Sequence, residues 1–140
     1  MRKYPKYHEW AHGNRRFSCS IHWNLKSMKR EHWQVYHRKD RGVLGGFCTG
    51  PSVSKDGKHY AADIHLRRGW IFPYVVIHEC VHAAMCVCRS KYERLDPLKN
   101  WRHEEAIAQW AHKIWRHLNR EMNDHRLWTG MEKMERGKRK

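Results

Sequence analysis

At 140 residues the chain has the length for one hydrophobic core and not for two. Its 29 Lys and Arg against 14 Asp and Glu leave a formal charge of +15, which together with 8 Trp and 6 Tyr makes a basic, aromatic surface of the kind nucleic acids favour, the alternative being a basic surface kept for solubility. Mean hydropathy is -1.00, no stretch approaches the roughly 18 apolar residues of a membrane span, and the first ten residues lack the apolar run of a signal peptide, so a cytoplasmic protein without a membrane partner is expected.

Residues 1–14 are basic, aromatic and broken by Pro5 and Gly13, which predicts an irregular N-terminal arm. It contains the string His8-Glu9-Trp10-Ala11-His12, but Pro5 lies three residues before and Gly13-Asn14 directly after, so no stable helix is expected to fix it. Phe17, Cys19, Ile21 and Trp23 then alternate, the period-2 signal of a half-buried strand. Residues 32–37 fit a second strand with Trp33 and Val35 on one face, in competition with a helix starting near Ser27. Residues 42–48 read as a short strand interrupted by glycines, residues 49–52 and Asp56-Gly57 as turns, and Tyr60, Ala62, Ile64 and Leu66 as one face of a last strand.

Pro73 suits a first helical position, and Val76, Ile77, Cys80, Val81, Ala84, Met85 and Cys88 recur at helical spacing, predicting a helix over 72–88. Residues 89–99 are polar, with Asp96-Pro97, and read as a loop. Asn100 is a good N-cap for a second helix to about residue 121, with Ile107, Ala111, Ile114 and Leu118 as its apolar stripe. The implied organisation is an arm over 1–14, a domain over 15–121 and a basic C-terminal tail over 122–140, frayed from Gly130. The five cysteines, Cys19, Cys48, Cys80, Cys86 and Cys88, form no CxxC pair, which argues for reduced thiols and against a zinc ribbon.

Inside the first predicted helix stands His78-Glu79-Cys80-Val81-His82. Positions i and i+4 share a helix face, so both imidazoles can reach one Zn2+, and Glu79 beside them can act as general base. Zinc catalysis needs a third protein ligand, and the opening of the second helix offers His103, Glu104 and Glu105.

An HExxH helix followed by a helix bearing Glu105-Ala106 resembles the gluzincin group of zinc metallopeptidases, which includes thermolysin-like enzymes and the ImmA/IrrE-type proteases. The resemblance covers about residues 59–118 and implies an α+β, zincin-like fold. In that fold a small, mostly antiparallel sheet over 15–67 precedes the metal helix, and the second helix carries the third ligand, Glu105. Thermolysin-like enzymes place an aspartate four residues after that glutamate to orient a ligand histidine; Gln109 stands here and carries no charge. The run from His78 to Ala84 also resembles SprT-type proteases, which act on DNA-bound proteins with a histidine as third ligand. His103 would fill that role, but Glu104 replaces the glycine that normally follows and no four-cysteine ribbon is present, so Glu105 is preferred. Peptide deformylases share HExxH, but their cysteine motif is missing around Cys48.

The resemblance implies a zinc metallopeptidase acting on a protein or peptide, with a DNA-associated substrate suggested by the basic surface. In zincins the strand before the metal helix forms the sheet edge that binds extended peptide, making residues 60–66 the expected platform, and His112, Tyr92 or His65 the expected oxyanion stabiliser. The competing readings are a nucleic-acid-binding protein in which zinc only staples the helices, and an inhibitor or adaptor of a nucleoprotein machine.

Overall fold

Phe17, Cys19 and Ile21, at every second position of β2 (Arg15–His22), are all fully buried. The same alternation buries Ala62, Ile64 and Leu66 of β6 (Ala62–Arg67) beneath the helices. This arrangement comes from a computed structural model, which describes residues 6–22, 26, 28, 45–92 and 94–131. The expected second strand at 32–37 and residues 132–140 lie outside the described residues, as does most of the rival helix from about Ser27, of which Met28 is described and helical, like Lys26 before it.

The protein is α+β. Its main sheet has the order β1-β2-β6-β3, with β1 (Lys6–His12) and β3 (Gly46–Thr49) at the edges of the described strands. A separate two-stranded ladder joins β4 (Ser52–Val53) to β5 (His59–Tyr60). The β1/β2 and β3/β6 pairs are antiparallel, but the central β2/β6 pair is parallel, so the sheet is mixed. Two helices follow, α1 (Pro73–Lys91) and α2 (Trp101–Asp124), and pack on each other and on the sheet.

Three expectations need correction. Residues 6–12 are a paired strand and not an irregular arm: His12 pairs with Arg15, so Gly13 (φ 61) and Asn14 close a two-residue hairpin. The glycine that argued against a helix was a turn signal. Second, β6 is not an edge, because β2 and β3 occupy both its sides, and among the described strands the edge beside α1 belongs to β3. Third, the chain after 121 is no loose tail as far as it is described. Met122 and Leu127 are buried, Thr129 Oγ1 accepts from the Ile71 N–H at 2.8 Å, and the Thr129 N–H donates back to the Ile71 carbonyl at 2.9 Å.

The helices match the sequence closely. Pro73 opens α1, and Asn100 caps α2, its side chain accepting from the Arg102 N–H at 3.0 Å. On α2 the expected stripe buries Ile114 and Leu118, half-buries Ile107 and Ala111, and runs one step further to Met122. On α1 the core takes Val76, Cys80, Ala83, Ala84 and Val87 but leaves Ile77 47% and Val81 40% exposed. The apolar run is wider than the face the core can cover.

At Gly46, β3 comes close enough to α1 to matter. A Cβ there would stand 3.0 Å from the His65 carbonyl oxygen and 3.2 Å from Glu79 Cγ, whereas at Gly45 the nearest atoms are Val75 methyls at 3.4 Å. Gly46→Ala is expected to cost about 1–3 kcal/mol in urea unfolding, by overpacking the strand against the helix, with a smaller effect for Gly45→Ala.

Candidate metal centre

α1 projects His78 and His82 from one face, one turn apart, with their Nε2 atoms 3.1 Å apart and both side chains exposed. Two ligands at about 2.0–2.1 Å from a tetrahedral ion lie about 3.3–3.4 Å from each other, so the pair is spaced within a few tenths of an ångström of what zinc needs. Partial burial, with the charges of His78 and Arg89, holds the His82 imidazole below its ordinary pKa and so favours the neutral form that binds metal. Tyr74, Ile77 and Val81 flank the pair with 66%, 47% and 40% of their surface exposed, an apolar border on an otherwise strongly basic protein.

Glu79 lies at the core margin, facing β3. Its side chain is only 4% exposed, its Cγ faces Gly46 of β3, and its Oε2 has no hydrogen-bond partner among the described residues. Burial pushes its carboxyl up to about 7. A carboxyl poised near neutrality with a free oxygen can hold or take a proton under physiological conditions, which a surface glutamate cannot do as well.

The expected third ligands are placed less favourably. Glu105 lies exposed in the second turn of α2, where its Oε1 accepts from Gln109 Nε2 at 3.3 Å. Gln109 thus holds the candidate ligand itself, where the gluzincin pattern has an aspartate orienting a histidine. His103 accepts from the Asp96 N–H at 3.0 Å through Nδ1, and its ring packs 4.3 Å from Tyr92, pinning the loop before α2. Glu104 is exposed. None of the three joins His78 and His82 in a group whose ligand atoms all lie within 4.8 Å of one another. Of the oxyanion candidates, His112 is exposed and Tyr92 packs at a tilt against His103. His65 is buried with Nδ1 2.9 Å from His22 Nε2, and burial together with His22 lowers its pKa to about 3.

The first HExxH string sits on a strand, where alternate side chains face opposite ways. His8, Trp10 and His12 pack toward α2, while Glu9 accepts from the Tyr60 hydroxyl at 2.7 Å and lies 3.5 Å from Arg16 Nε. Glu9 therefore cannot serve a metal held by its own neighbouring histidines. His8 instead meets Glu121 and His125, a trio that sequence reasoning missed. Its readable trace was His117, Glu121 and His125 at every fourth position of α2 and its cap. No protein-family model, no curated protein and no solved structure matches this chain.

Raising a buried carboxyl from its ordinary 4.5 to about 7 lets the folded protein hold a proton that the unfolded chain releases. The associated stability is complete below 4.5 and is lost as pH rises through 7. In metal-stripped protein, Glu79→Gln should match the parent near pH 4.5 and exceed it by about 1–3 kcal/mol at pH 8, as thermal melts at the two pH values will read.

Proposed function

We propose that the protein is a zinc-dependent peptide hydrolase of zincin-like design, in which His78 and His82 supply two metal ligands and Glu79 is the general base. The observation that carries this reading is one turn of helix bearing both a zinc-spaced imidazole pair, 3.1 Å between Nε2 atoms, and a buried carboxyl with an unpartnered oxygen. A zinc ion held there supplies Lewis acidity and brings a water's pKa to about 7. Glu79 accepts the proton of the attacking water and returns it to the leaving amine, a role suited to a carboxyl near neutrality.

Glu105 is our third donor. It is exposed on the helix that packs against α1, and the 3.3 Å bond from Gln109 is long enough for a rotamer change to release. His103 is disfavoured because the Asp96 N–H already occupies its Nδ1. β3, the edge of the described sheet beside Glu79, is the strand on which an extended peptide would add by backbone hydrogen bonds, with Tyr74, Ile77 and Val81 available to its apolar side chains. The +15 charge favours a substrate carried on nucleic acid.

Glu79→Gln should retain one equivalent of zinc at the α1 pair while cleavage of a fluorogenic peptide library falls about 10²–10⁴-fold. His82→Ala should lose that zinc as well, and Glu105→Gln should weaken it where His103→Gln does not. Undiminished cleavage by Glu79→Gln, or no zinc dependent on His78 and His82, would refute the assignment.

A further inference from the structure

We infer that His8, Glu121 and His125 form a second site for a divalent transition-metal ion of the zinc type, joining β1 to the C-terminal end of α2. Glu121 Oε2 lies 3.3 Å from His8 Nδ1 and 3.2 Å from His125 Nε2, and the three ligand atoms all fall within 4.8 Å of one another. The two distances from Glu121 match the edges of a tetrahedron with bonds of about 2.0–2.1 Å, the third pair needs only a small closure, and two imidazoles with one carboxylate are zinc-type donors. The ligands come from both ends of the described chain: His8 from the edge strand, Glu121 from the last turn of α2 and His125 from its C-cap.

The surroundings favour a cation at this point in spite of the positive net charge. α2 has no basic residue in its last turn, so the negative end of the helix dipole meets no Lys or Arg of that turn, with Arg120 just before it and Arg126 just after. The second carboxylate oxygen, Oε1, lies 3.7 Å from His117 Nε2, and Trp10 stacks on the His117 ring at 4.3 Å. This outer layer orients Glu121 as supporting residues orient metal ligands elsewhere. Side-chain exposure rises from 15% at His8 through 24% at Glu121 to 47% at His125, leaving one approach open for water as the fourth ligand. The ion would act as a staple: it binds only when β1 is docked, so its binding energy adds to the stability of that docking.

The site is separate from the α1 pair, and the test keeps the two apart. Full-length His78→Ala/His82→Ala protein, stripped with EDTA, is titrated with Zn2+ by calorimetry, with metal counted after gel filtration and hydrogen exchange followed at the β1 amides. One retained equivalent is expected, with slowed exchange over residues 8–12. Adding His125→Ala or Glu121→Gln should weaken binding by at least about 10-fold without changing the circular dichroism spectrum, and His125→Ala in the otherwise unaltered chain should remove one equivalent. The inference fails if the double variant retains no zinc, or if its affinity is the same with and without His125→Ala and Glu121→Gln. Either result would leave Glu121 as the acceptor of simple histidine ion pairs.

Discussion

The rotation of α1 about its own axis governs everything else in this protein. Burial of Val76, Cys80, Ala83, Ala84 and Val87 sets that rotation, since each buried carbon contributes on the order of 0.8 kcal/mol, each valine about 1.5–3 kcal/mol, and their sum outweighs any single polar preference. With those five turned inward, successive residues step round the axis by about 100°, so His78 and His82 must face outward and Glu79 must fall at the margin of the core. The placement of these three side chains is thus a by-product of hydrophobic packing, and the α1–α2 contact holds it.

That rotation has a cost, and the cost is located at Glu79. The carboxyl is enclosed between α1 and the glycine of β3, where no donor among the described residues satisfies Oε2. A charge in such a place is disfavoured, which raises its proton affinity to neutrality. Packing alone would be better served by an apolar residue. A glutamate there gives up stability in exchange for a carboxyl that titrates near neutrality, which is the property the proposed general base requires.

The two HExxH strings show how far a motif depends on its backbone. On α1 the spacing of four brings two imidazoles within 3.1 Å, while on β1 the same spacing stretches His8 and His12 along an extended strand and sends Glu9 to the opposite face. His8 then finds its neighbours at the far end of the chain, in Glu121 and His125. Identical letters give different chemistry because helix and strand repeat every 3.6 and 2.0 residues respectively.

By itself the sequence determined the local features: the alternation that makes β2 and β6, Pro73 at the start of α1, the Asn100 cap, the stripe from Ile107 to Leu118, and the His78–His82 pair. Each is legible because its cause lies within a few residues, in backbone sterics, capping or side-chain period. Tertiary structure alone decided that β1 joins the sheet, that β3 and not β6 is the edge of the described strands beside α1, that Ile77 and Val81 stay in water, and that His8 meets His125. Those outcomes depend on which distant surfaces cover one another. No local rule records that, because the free energy of burial belongs to the pair of surfaces and not to either segment.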